Sequence, residues 1–105
     1  MSGFCRFELL LPLQLNDGRT VPHALLAQTA AEIQSRFGGV SWEAQVIEGL
    51  WRQGGVEYRD RLSRIFVDGE DTPENRQFFV DLKSRLKTRF QQLDIWLTVH
   101  PIEIL

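Results

Sequence analysis

Cysteine, tyrosine and methionine each occur once in these 105 residues, histidine twice and proline four times. A single cysteine, Cys5, can form no internal disulfide, so a reducing, cytoplasmic setting is expected. His23, His100 and Cys5 lie too far apart to make a recognisable metal motif, and no metal is expected. Gly38-Gly39 and Gly54-Gly55 are too short for a phosphate-cradling loop and lack its Lys-Ser/Thr context. No Gly-x-Ser-x-Gly elbow is present, and no cofactor is expected. The longest apolar stretches fall far short of the ~20 residues of a membrane helix, so no membrane partner is expected. The run Leu9–Leu11 follows Arg6 and Glu8 and is closed by Pro12, and it reads as a strand, not a signal peptide. Neither sign of charge dominates: the formal net charge of −2 gives no general attraction to nucleic acid. The cations Arg76, Lys83, Arg85, Lys87 and Arg89 read as a solvated helix face, and the paired-aromatic RNA-recognition signature is missing, so a nucleic-acid partner is not expected.

What remains is enough for one core. Apolar residues make up 43% and charged residues 25%, an ordinary globular balance that argues against disorder. Residues 1–105 fit one domain. Phe4 to Leu13 alternates around Cys5, Phe7, Leu9 and Leu11, the period of a strand, with Cys5 a small core residue. Asn16-Asp17-Gly18 is a turn signal. Thr20 is placed to cap a helix with Pro22 in its first turn and an apolar stripe of Leu26, Ala30, Ile33 and Phe37. Gly38-Gly39 ends that helix, and His23 is read as a solvated first-turn residue. Residues 40–52 and 56–68 read as strands joined at Gly54-Gly55. Asp71-Thr72-Pro73 opens a second helix, whose stripe is Phe79, Leu82, Leu86 and Phe90. A last strand follows over 94–104, with Pro101 marking an edge.

The order β-α-β-β-α-β, with right-handed crossovers, predicts a ferredoxin-like α+β fold: a four-stranded antiparallel sheet with both helices on one face. Leu26, Ile33, Arg36 and Phe37 recur in type as Phe79, Leu86, Arg89 and Phe90 at a constant offset, which supports two similar halves.

Counting outward from Gly54-Gly55 pairs Gln53 with Val56, Arg52 with Glu57, Trp51 with Tyr58, Glu48 with Arg61 and Ile47 with Leu62. Two charge pairs, an aromatic pair and an aliphatic pair fall into place together, and a slip of one residue loses them all. This register sends Trp42, Ala44, Val46, Ile65 and Val67 to the core. It sends Gln45, Ile47, Trp51, Tyr58, Leu62, Arg64 and Phe66 to the open face, joined by Glu8, Leu10, Trp96, Thr98 and His100. Such an aromatic open face predicts an interface or ligand surface anchored on Ile47, Trp51, Tyr58, Leu62, Phe66 and Trp96. His100 near Glu8 and Arg64, with Tyr58 and Trp96, could do acid–base chemistry, but the spacing carries no specific signature and hydrogen bonding within an interface is the preferred reading.

The early Leu11-Pro12-Leu13 with Asn16-Asp17-Gly18, then Arg36-Phe37-Gly38-Gly39, Trp51, Tyr58-Arg59-Asp60 and Arg89-Phe90, resemble a group of small bacterial proteins of ferredoxin-like outline. That resemblance implies the fold and no activity. By fold analogy, the dimeric α/β-barrel proteins join two open sheet faces around a cavity. Two functions are therefore expected in order: a non-enzymatic binding or interaction module acting as a homodimer, with a small-molecule ligand as a further partner, and a small dimeric α/β-barrel-type enzyme with a cavity on the open face.

Overall fold

Strand β1, Phe4–Pro12, buries every second residue, and Cys5, Phe7, Leu9 and Leu11 are sealed beneath two helices. The computed structural model describes residues 3–43 and 45–105. Helix α1 spans His23–Phe37, followed by the short strand β2 at Ser41–Trp42 and then β3 at Ile47–Gln53. Strand β4 runs through Val56–Glu70, helix α2 through Pro73–Arg89, and β5 through Trp96–Ile102. All pairings are antiparallel, in the order β2-β4-β1-β5, with β3 also on β4.

The predicted fold class holds, with one correction: the expected second strand is two strands. Trp42 faces Ile65 and Ile47 faces Leu62, so between these two rungs the chain has two residues more than β4 has. The surplus is even, so the side-chain parity of β3 is the same as that of β2. The Glu43 N–H still donates to the Arg64 carbonyl at 2.9 Å before the chain leaves β4. Beyond the break, β3 and the first part of β4 form a two-stranded ribbon, because β1 ends at Pro12 opposite Leu62. Val46, expected in the core, is exposed for this reason: it sits at the base of the ribbon, past the region β1 and the helices cover. Ile65 and Val67 are buried and Trp42 is half-buried against the core, as expected, while Ala44 lies outside the described residues.

The hairpin register is the one counted from the sequence, rung for rung from Gln53↔Val56 to Ile47↔Leu62. Gly54 and Gly55 both take positive φ, 59° and 76°, as a tight turn matched to strand twist requires. The start of α1 differs from expectation. Pro22 occupies the N-cap with no side-chain cap bond, and Thr20 instead bridges Gln14 across the turn. Pro22 delays the helix, so Thr20 stands too far upstream to reach its first N–H groups. At α2, Thr72 caps as expected, its hydroxyl accepting from the Asn75 N–H at 3.1 Å, with Pro73 in the first turn.

Both helices pack on the β1 face that carries Phe7. The Phe7 ring stacks on Phe79 at 4.4 Å and tilts against Phe37 at 6.0 Å. Leu82, Leu86 and Phe90 complete the α2 stripe, and Leu26 and Ile33 that of α1. Thr29 is buried with them because its hydroxyl donates to the Leu25 carbonyl and accepts from Arg89. Arg89 also grips Glu32 through two bonds, at 2.8 and 3.0 Å, tying the helices together. Burying a large aromatic at such a contact predicts a loss of roughly 3–5 kcal/mol for Phe79→Ala. The control Leu93→Ala, at a residue 96% exposed, is expected to change stability by less than about 0.5 kcal/mol. Urea unfolding measures both, and equal effects would show that Phe79 is not at the centre of the core.

Candidate functional site on the open sheet face

The face away from the helices divides into a charged half and an aromatic half. Cross-strand register builds the charged half: Glu8 lies between Phe66 and Thr98, and Arg6 between Asp68 and His100. Arg64 is clamped by two carboxylates, Glu8 at 2.7 Å and Glu43 at 2.6 Å. Arg6 makes a two-bond contact with Asp68 at 2.8 and 3.1 Å. The guanidiniums of Arg6 and Arg64 each lie 4.5 Å from the centre of the Phe66 ring. Phe66 is thus held by cations and is not a free apolar anchor.

His100 Nε2 stands 3.7 Å from Glu8 Oε2, beyond hydrogen-bond range, and 2.7 Å from the Thr98 hydroxyl. The other Glu8 oxygen is occupied by Arg64. Three of the four residues singled out for acid–base work, His100, Glu8 and Arg64, therefore meet on one patch. Tyr58 does not join them: it lies six residues along β4 from Arg64, about 20 Å at strand rise.

Tyr58 belongs to the aromatic half. There the ribbon, the end of β1 and the loops around residues 14–18 and 92–96 enclose a groove of about 990 Å³, at the upper end of ligand-pocket sizes. Trp51 and Tyr58 stack at 4.4 Å on its ribbon side, and Trp96 stands on the opposite wall, with Leu10, Pro12 and Leu62 between. Trp51 is 44% exposed, Tyr58 42% and Trp96 65%, so each keeps free ring surface. The loop wall is tied together where Asn16 Nδ2 donates to the Gln91 carbonyl at 3.2 Å. Ile47, at the foot of the ribbon, pairs with Leu62 and shares its face.

Asp60 lines the groove too, though the sequence reading gave it no role there. Asp60 faces Gly49, on the same side as Tyr58 and Leu62, and accepts a hydrogen bond from Trp51 Nε1 at 2.6 Å. The hairpin count contained that rung, but a carboxylate opposite glycine forms no recognisable pair. Across the sheet, His23 is exposed as expected yet stacks on Trp42 at 5.5 Å, which a first-turn histidine does not advertise. Four of the five α2-region cations are paired, Arg76 with Asp71, Lys83 and Lys87 with Asp94, and Arg89 with Glu32. Burial raises the pKa of the Cys5 thiol, with Asp71 adding to the effect. Among the described residues no cluster of metal-ligating side chains occurs, and no helix is long and apolar enough to cross a membrane.

No family model and no curated protein matches this sequence. Solved structures do match in shape. A phage SAM lyase in complex with S-methyl-5'-thioadenosine superimposes with a TM-score of 0.69 at 17% identity, over 96% of this chain and 83% of the lyase. The divalent cation tolerance protein CutA1 from Thermus thermophilus gives 0.66 at 14% identity, over 97% of this chain and 86% of its own. CutA from Synechococcus elongatus gives 0.62 at 10% identity, over 97% and 79%. The likeness is one of fold.

The charged half carries a pH dependence. The hydrogen bond from Arg6 holds the Asp68 carboxyl below its ordinary range, with the guanidinium charge assisting and partial burial opposing. A depressed folded-state pKa stabilises the fold above the unfolded value of about 3.9, and that contribution is lost as pH falls through the folded value. Asp68→Asn is therefore expected to lower stability near pH 7, by under about 1 kcal/mol for so accessible a pair. The gap between variant and parent should narrow in thermal melts as pH falls below about 3.9. A gap that stays constant with pH would show that the ion pair is not its source.

Proposed function

We propose that this chain is a non-enzymatic binding and interaction module that works as a homo-oligomer, its open sheet face covered by a second copy. The supporting observation is the aromatic half of that face. Trp51, Tyr58 and Trp96 leave large ring surfaces in water around a groove, and a patch of this kind marks an interaction surface. The ribbon adds a second reason. A two-stranded hairpin is marginal alone in water, and this one shows the charge pairs Arg52–Glu57 and Glu48–Arg61 with an exposed Leu50 on one side, and the Trp51–Tyr58 stack on the other. The charged side suits solvent and the aromatic side suits a cover. The isologous pairing usual in homodimers would bring Leu62 and Trp51 of both copies to the contact.

A second reading is a small enzyme of dimeric α/β-barrel type. The groove supports it, as does the structural neighbour solved with a nucleoside thioether. Tyr58 is the one acid–base residue of the four that lines the groove; His100, Glu8 and Arg64 do not. Incubation with S-adenosylmethionine, followed by chromatography for S-methyl-5'-thioadenosine, decides between them. Turnover abolished by Tyr58→Phe would replace the binding reading with the enzymatic one.

Charging the patch tests self-association directly. Leu62→Asp with Trp51→Glu puts two unpaired carboxylates into an apolar contact, at a cost of several kcal/mol that should split the oligomer. Sedimentation at micromolar concentration reads the outcome. A parent that sediments as a monomer, or an oligomer indifferent to both changes, removes the proposal.

A further inference from the structure

We infer that the aromatic groove is a binding site for a small organic cation of the quaternary-ammonium kind, with its charge against Asp60 and its methyl groups on the Trp51–Tyr58 stack. The inference deepens the binding reading, since it names the ligand class of the same groove.

The argument rests on where charge is left over. Asp94, on the loop wall, is already neutralised by Lys83 at 3.0 Å and Lys87 at 3.9 Å. Arg59 and Arg61 also line the groove along β4, but both have the parity of the ribbon's far side, where the Arg61 guanidinium pairs with Glu48. Asp60 alone presents a carboxylate to the groove with no cationic partner among the described residues. Among the described residues its side chain accepts a hydrogen bond from Trp51 Nε1 at Oδ2 alone, which leaves Oδ1 available and ties indole and carboxylate into one unit.

Geometry then selects the ligand. Gly49 stands opposite Asp60 on the same face, and a Cβ there would meet Leu62 Cδ1 at 3.7 Å and Asp60 Cβ at 3.9 Å. The floor beside the carboxylate is therefore low. Trp51 and Tyr58 rise next to it with exposed ring surface, and Trp96 stands across the groove. Aromatic faces attract a cation through their quadrupole, more strongly when water is excluded. A carboxylate alone would favour compact hydrated ions, and bare rings would take any apolar group. The two together favour a charge carried on a methylated, weakly hydrated centre. Covering by a second copy would close the groove and strengthen the attraction.

The probe is choline chloride, against its uncharged carbon isostere 3,3-dimethyl-1-butanol, at low ionic strength. Tryptophan fluorescence and thermal shift report binding, and sedimentation of the same samples reports assembly. Choline is expected to bind at least about tenfold more tightly than the isostere. Asp60→Asn should abolish that preference, and Trp51→Leu should weaken choline binding. Equal responses to the two probes, or none to choline, overturn the cation site, and this comparison on the unmodified protein stands even if a variant fails to fold. A monomer that binds choline selectively keeps the site and removes self-association; an oligomer that ignores choline does the reverse.

Discussion

The unbroken alternation of β4 is the constraint on which the other strands depend. Its C-terminal half sets the register of β1, and through β1 that of β5. Its other edge carries β2 and, after the break, β3. Because residues 63, 65, 67 and 69 point to the helices and 62, 64, 66 and 68 away, each neighbour's faces are settled by its pairing with this one strand. A one-residue insertion among residues 63–69 of β4 would exchange core for surface along the strands paired beyond it.

That constraint explains which parts of the structure were legible in the sequence. The hairpin could be counted because two glycines mark its turn and opposite residues complement each other. The open face followed from parity, and it survived an error: a continuous second strand was expected, yet the surplus between Trp42 and Ile47 is even and leaves parity unchanged. What escaped was set by distant contacts. Val46 is exposed because β1 stops at Pro12, a fact of layer length that local pattern does not carry. Glu43 clamps Arg64 only because β2 lies beside β4. Phe66 looked like an apolar anchor until Arg6, from the neighbouring strand, and Arg64 closed over it. Asp60 was reachable by counting but had no complementary partner to draw notice.

The two halves of the open face obey different physics. In the charged half nearly every ionic group has met its opposite, Arg64 with two carboxylates and Arg6 with Asp68, so its charges are spent within the chain. In the aromatic half, ring surfaces and one carboxylate remain unspent. The fold likeness to a SAM lyase and to CutA1 bears on neither half, because function lies in the side chains that a shared fold carries.

The central position of β1 has a consequence for the order of events in folding. Arg6 and Asp68 are neighbours across the sheet but 62 residues apart along the chain, and β5 comes later still. At a synthesis rate of about 5–20 residues per second, the first strand made waits several seconds for its first partner. The β3–β4 hairpin, closed by its own turn, can form within microseconds of leaving the ribosome. The ribbon is thus the first part of the sheet to acquire shape, and the innermost strand is among the last to be enclosed. During that interval Phe7, Leu9 and Leu11 are exposed on the nascent chain, where a chaperone would find them.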